Sequence, residues 1–174
     1  MWYHYGMSDT PTPTAVHIRP ARPDELDAVG RLTVAAYVAD VHPDSDYARH
    51  LADAAGRARH ARLLVAVDPE GRLLGTATLV LGGGRWSELA GSGDAELRML
   101  GVDQAARRRG VGEALLSAIL AEARAAGCRR LLLSTLPTMT AAQRLYERAG
   151  FRRAPELDRT PVPGVDLLAY TLDL

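Results

Sequence analysis

AELRMLGVDQAARRRGVGEALL, Ala95–Leu116, is the stretch that decides the fold. Its first eight residues alternate in character and predict a strand over Ala95–Val102. Val111, Leu115, Leu116, Ile119, Leu120 and Ala123 then recur at helical spacing, and Gly127 ends the run. Between strand and helix stand Arg107, Arg108 and Arg109, followed by Gly110 and Gly112. A helix N-terminus carries partial positive charge, so three cations are placed where the helix end disfavours them. The free N–H groups of a first helical turn bind anions, and glycine lets a ligand approach the backbone closely. A phosphate-bearing ligand would resolve the conflict. The alternative is a solvated basic turn whose glycines serve only the bend. No Gly-Lys-Ser/Thr follows, as a Walker loop requires, and the GxGxxG dinucleotide pattern is absent.

Working outward, Ala15–Ala21 reads as a strand ended by Pro20 and Pro23. Asp24 opens a helix with Leu26, Val29, Leu32, Ala36 and Tyr37 on one face. Asp40–Asp46 reads as a loop and Tyr47–Arg62 as a second helix. RLLVAVD and LLGTATLVL form a hairpin around Pro69–Gly71, and a glycine-rich connection containing Trp86 follows. RRLLLSTL, Arg129–Leu136, suits a strand buried on both faces. Thr140 and Gln143 have capping-box spacing ahead of a helix whose inner face is Ala142, Leu145, Tyr146 and Ala149, with Gly150 as its stop. Strands starting at Phe151 and at Val165 close the chain. This order predicts a single α/β domain over 15–174, a mixed sheet with helices packed on it, after a flexible leader over 1–14.

The 174 residues hold 21 Lys plus Arg and 21 Asp plus Glu, so no global charge draws the chain to nucleic acid or an anionic membrane. The arginine-led helix is apolar along one face, carries Glu113 and Glu122, and lacks a row of base-reading side chains. Cys128 is the single cysteine, which excludes an intrachain disulfide, and no zinc-ligand spacing occurs, so no metal is expected. No apolar run is long enough to span a bilayer, and the first residues lack a secretory pattern; a cytoplasmic location is the default expectation.

The motif Ala95–Leu116 resembles the acetyl-CoA-binding motif of the GNAT superfamily of N-acetyltransferases. TMTAAQRLYERAGF, Thr138–Phe151, resembles the second motif of that superfamily, down to its LYxxxGF ending. The two occur in the superfamily's order and separation, and the resemblance spans nearly the whole domain. It implies a GNAT-like fold: a central mixed, largely antiparallel twisted sheet flanked by about four helices. It implies that backbone amides of Arg107, Arg108, Arg109, Gly110, Val111, Gly112 and Glu113 hold the CoA pyrophosphate, and that Leu100, Gly101 and Val102 pair with the pantetheine arm. A glycine within a strand also marks a bulge, a kink or a close backbone approach, so Gly101 fits that role. Ala142 and Met139 fall on the cofactor side. Met139 stands where many members carry Asn, and a thioether donates no hydrogen bond, so there the resemblance implies packing only.

The chemistry implied is transfer of the acetyl group of acetyl-CoA to a primary amine by direct attack on the thioester, through a tetrahedral intermediate. An alkyl ammonium has a pKa of roughly 10, so a base is useful, as is an acid for the departing thiolate. By resemblance Tyr146 is the acid, against the reading of a core tyrosine. Glu96 is the base, directly or through a water, against a salt-bridged glutamate partnered by Arg98. Strand periodicity places Glu96 and Leu100 on one face. The Leu100 N–H is the oxyanion donor by resemblance. Tyr37, Asp40, His42, Asp44, Asp46, Trp86 and Asp158 are candidate linings of the acceptor groove. A small-molecule amine is the preferred acceptor. A protein or peptide amine, and a non-catalytic acyl-CoA sensor, remain the alternatives. The partners expected are acetyl-CoA and the amine, with a homodimer left open, and neither nucleic acid nor a membrane.

Overall fold

The structure is a computed structural model that describes residues 15–37, 39–42 and 44–174; the leader expected over 1–14 lies outside the described residues. Strands are β1 (His17–Pro20), β2 (Arg62–Val67), β3 (Leu73–Leu81), β4 (Ala95–Val102), β5 (Arg130–Thr135), β6 (Arg152–Arg153), β7 (Arg159–Val162) and β8 (Val165–Asp173). Helices are α1 (Leu26–Tyr37), α2 (Asp46–Ala52), α3 (Ala54–His60), α4 (Val111–Ala125) and α5 (Thr140–Arg148). The sheet runs β1-β2-β3-β4-β5-β8-β6, with β7 paired to β8. β4 and β5 are parallel and the other pairs antiparallel.

Helices cover both faces. On one, Leu115 and Ile119 of α4 and Leu145 of α5 pack with Leu97, Leu131, Leu133 and Tyr170. On the other, α1 and α3 cover Val65 through Val29 and Ala54, and a separate cluster joins Leu51, Val80, Trp86 and Met99. Leu131, Leu132 and Leu133 are at most 1% exposed, as a continuous apolar run on a central strand requires.

The helix expected over Tyr47–Arg62 is two helices, so five flank the sheet rather than about four. Asp53 breaks it: its backbone leaves the helical region (φ −75°, ψ 64°) and its carboxylate accepts from the Gly56 N–H at 2.7 Å, capping α3. α2 ends tight against α1, where a Cβ on Gly30 would meet the Ala52 carbonyl oxygen at 2.3 Å. Arg57 seals the break. Its fully buried side chain donates from Nη1 to Leu51 O (2.7 Å) and His50 O (3.3 Å), and from Nη2 to Thr33 Oγ1 (3.1 Å). A cation at a helix C-terminus is favourable, yet burial pushes this guanidinium down to about 10.

Other local expectations also shift. Asp24 sits in a 3-10 turn ahead of α1. The Thr140–Gln143 capping box does not form: Met139 occupies the cap position, and Gln143 Nε2 donates to the carbonyls of Leu136 and Pro137 at 3.0 Å each. Phe151 is a buried residue beside β6 rather than the start of a strand. β7, with Pro161 inside it, is a strand beyond those expected between Phe151 and Val165. Among the described residues no helix is long and apolar enough to cross a membrane, and no group of three or more His, Cys, Asp and Glu is placed to hold a metal.

Candidate active site

A bulge in β4 builds the site. Thr78 pairs with Arg98 and Thr76 with Gly101, so Met99 and Leu100 together oppose Ala77 alone. Met99 takes a left-handed backbone, φ 52°. β4 pairs with β5 only at Ala95–Leu131, Glu96–Leu132 and Leu97–Leu133. β5 stays paired to β8 as far as Thr135. Beyond Leu97 the two parallel strands therefore part, and their facing backbone edges leave the ladder.

The extra residue also inverts the side-chain phase of β4. Leu100 and Val102 join Leu97 on the α4 side, whereas a Cβ on Gly101 would point at α1. Glu96 and Leu100 are thus on opposite faces, contrary to uninterrupted strand periodicity. Gly101 is explained by α1: an added Cβ would lie 2.8 Å from Ala36 Cβ. Tyr37, one residue further along α1, donates to the Leu100 carbonyl at 3.3 Å.

A cavity of about 390 Å³ opens beside the parting strands. Tyr37, Asp40 and His42, three of the candidate groove linings, line it together with Glu96, Met139 and Tyr146. Asp44, Asp46, Trp86 and Asp158 do not: Asp46 pairs with Arg49, Asp158 holds Arg153 and the Ala169 N–H, and Trp86 is buried behind a stacked His50 ring at 4.3 Å. Tyr47, His50, Glu88, Arg98, Arg159 and Thr135 are also part of the wall. Sequence reading missed these. Arg98 and Met99 share a face only because of the bulge, and Arg159 belongs to the unexpected β7.

Tyr146 is 6% exposed, with its ring 5.8 Å from Phe151 and 6.3 Å from Tyr170. Burial raises its phenol above the usual tyrosine value, so it holds its proton at neutral pH. Glu96 is 1% exposed, and its Oε2 accepts from the N–H groups of Glu88 (2.8 Å), Leu89 (2.8 Å) and Ala90 (3.2 Å). Its Oε1 lies 3.9 Å from Arg98 Nε. One oxygen therefore anchors the glycine-rich connection, and the other stays outside those bonds. Burial, together with Arg98 and Arg57, pushes the His50 imidazole below its usual value, so it is neutral at neutral pH.

The arginine turn lies outside this cavity, as do Leu100, Gly101, Val102 and Ala142. Gly110 caps α4 with φ 77° and Arg108 has φ 62°. Residues alternating into the left-handed region turn successive N–H groups toward one concavity, which suits an anion. Arg107, Arg108 and Arg109 are exposed, and Val111 is buried as the first helical residue. Gly112 has a packing reason, since its Cβ would lie 3.3 Å from Leu145 Cδ2 of α5. Glu113 pairs with Arg148 at 3.0 Å, tying the same two helices. Ala142 packs against the core.

The family model for the acetyltransferase (GNAT) family matches residues 26–151, which takes in the bulged strand, the turn and α5. The chain belongs to this family. A mycothiol acetyltransferase of Geodermatophilus obscurus is 38% identical over 92 residues, 49% of this chain and 30% of that protein. The chain thus spans about three-tenths of the length of the curated relatives it matches. A GNAT-family acetyltransferase of Staphylococcus aureus Mu50 shares the fold at TM-score 0.74 and 18% identity, over 92% of this chain and 99% of that one. yncA of Salmonella typhimurium, solved with its cofactor acetyl-CoA, shares it at TM-score 0.67 and 23% identity, over 92% of this chain and 95% of that one.

Proposed function

We propose that this GNAT domain transfers the acetyl group of acetyl-CoA to a small primary amine. The observation that carries the reading is the parting of β4 from β5 after Leu97, beside a cavity lined by Tyr146 and Glu96. The freed β4 edge at Leu100, Gly101 and Val102 can pair with the amides of the pantetheine arm. The left-handed turn at Arg108 and Gly110, with the first N–H groups of α4, suits the pyrophosphate. The cavity lies at the small end of ligand-pocket volumes, roughly 300–1,000 Å³, which favours a small acceptor over a protein chain.

The amine nitrogen attacks the acetyl carbon and forms the C–N bond of a tetrahedral intermediate, whose collapse breaks the C–S bond. Tyr146, whose phenol carries its proton at neutral pH, supplies the proton that the departing thiolate takes. Glu96 Oε1, outside the loop's hydrogen bonds, receives the amine proton directly or through a water. The Leu100 N–H, at the bulge, is the donor assigned to the thioester oxygen by resemblance to the family.

Two measurements test this. Acetyl-CoA at about 100 times its Kd stabilises a native state by about 2.7 kcal/mol, a rise in Tm of about 5–10 °C for a chain of this size. Arg107→Glu combined with Arg108→Glu, both exposed, should abolish that rise. These variants are cleaner than bulky replacements at Gly112, which would disturb the α4–α5 contact. An amine panel read by release of free CoA thiol then tests transfer. Tight binding of acetyl-CoA without turnover on any amine would replace the enzyme by an acyl-CoA sensor.

A further inference from the structure

The floor of the cavity holds more hydrogen-bond donors than the protein supplies acceptors. Arg98, with a side chain 9% exposed, donates from Nη1 to the Trp86 carbonyl (2.6 Å) and from Nη2 to Glu88 Oε1 (2.7 Å). Arg159 of β7 pairs with the other oxygen of the same Glu88. Its Nε is buried and meets no acceptor among the described residues. Two guanidinium groups thus share one carboxylate. Glu96, the second carboxylate at the floor, has Oε2 committed to the loop N–H groups and Oε1 3.9 Å from Arg98 Nε. On the β5 wall, Ser134 Oγ and Thr135 Oγ1 are also buried without partners, and Thr135 is 5% exposed.

The electrostatics agree. Arg98 and Arg57 both act against protonation of His50, beyond the effect of burial, while Asp53 opposes them from the exposed cap of α3. Arg98, Arg159 and Arg57 pull down the Tyr47 phenol, which burial nonetheless raises. Beside the polar Asp40, His42 and Ser45, the wall carries an apolar stretch of Val41, Met99, Leu136, Val165 and Leu167. Unmet buried donors are costly, and an anionic oxygen is the acceptor that relieves most of that cost.

We propose that this floor is a carboxylate subsite and that the acceptor is an apolar amino acid. Arg159 and Arg98 take its carboxylate, the hydroxyl of Ser134, on the face of β5 that Leu132 shares with Glu96, completes the polar side, and its side chain lies on the apolar stretch of the wall. The proposal rests on the acetyltransferase reading above.

The test uses matched pairs that differ by the carboxylate: leucine with 3-methylbutylamine, phenylalanine with 2-phenylethylamine, and methionine with 3-(methylthio)propylamine. Turnover is read as CoA thiol release, and binding as the rise in Tm with each compound alone. The kcat/KM ratio of amino acid to amine should exceed one and fall about 10- to 100-fold in Arg159→Gln, the worth of a charge-assisted contact. Arg159→Lys should recover part of the ratio. Arg152→Gln, which removes an exposed ion pair with Asp173 outside the cavity, should leave the ratio as it is. Equal turnover of both members of each pair, with no change of ratio in Arg159→Gln, overturns the subsite and leaves the acetyltransferase. Amino-acid binding that depends on Arg159 without any turnover supports the subsite and overturns the enzyme. Absence of both turnover and Arg159-dependent binding overturns the subsite.

Discussion

Gly101→Ala separates two reasons for a glycine in β4. An added Cβ would stand 2.8 Å from Ala36 Cβ. Carbon atoms pack at about 3.5–4.0 Å, so α1 and the bulged strand must part by roughly an ångström. Overpacking of this kind costs about 1–3 kcal/mol. For a chain of this length each kcal/mol lowers Tm by about 2–4 °C, so the variant should melt about 2–12 °C lower. Ala36→Gly deletes the opposing methyl and by itself costs about 1 kcal/mol in helix propensity. If the contact is the cause, the double variant melts above Gly101→Ala alone, and the cycle shows a favourable coupling of about 1–2 kcal/mol. Urea unfolding followed by circular dichroism on the four proteins gives the numbers. Strict additivity, or a stable Gly101→Ala that has lost acetyl-CoA binding, would refute the helix-contact argument and assign the glycine to the ligand.

Tyr146→Phe should lower kcat by about 10²–10⁴ with little change in acetyl-CoA affinity; a variant with full turnover ends the general-acid role. Glu96→Ala orphans three loop N–H groups at about 1–3 kcal/mol each, so its Tm should fall by more than about 6 °C. Glu96→Gln keeps an acceptor oxygen for those groups and removes the base, so turnover should drop much more than Tm; unimpaired turnover in Glu96→Gln clears the residue of that role. Asp94 and Asp158 are held below the usual carboxylate range, first by hydrogen bonds from Arg130 and Arg153 respectively. Their folded pKa lies below the unfolded value of about 3.9, so their stabilisation is present above about pH 4 and is lost as pH falls further. Asp158→Asn should flatten the fall in Tm below pH 4; an unaltered acid limb would show that this pair contributes nothing.

Alternating and helical periods carried the strand–turn–helix core, because β4, α4, β5 and α5 are long enough for one face to declare itself. The turn was legible from composition alone: arginines beside glycines at a helix start imply an anion or a bend, and two left-handed residues, Arg108 and Gly110, lie there. Tyr146 and Glu96 were found through motif position, and the fold brings both to one cavity. Three features depended on tertiary contacts. The break at Asp53 is decided by Arg57 reaching the carbonyls at the end of α2 and by Gly30 admitting Ala52, neither of which has a local signal. β7 carries a proline and gains its pairing only from β8. The bulge is the most consequential: one residue too many opposite Ala77 inverts the phase of β4, puts Arg98 and Met99 on one wall, and separates Glu96 from Leu100. A period of two cannot report its own interruption; register is set by the partner strand. The sequence by itself therefore determined the family of elements and the arginine–glycine turn between β4 and α4. The tertiary structure decided which polar groups share the cavity, because a late strand carries Arg159 to the glutamate that Arg98 also holds.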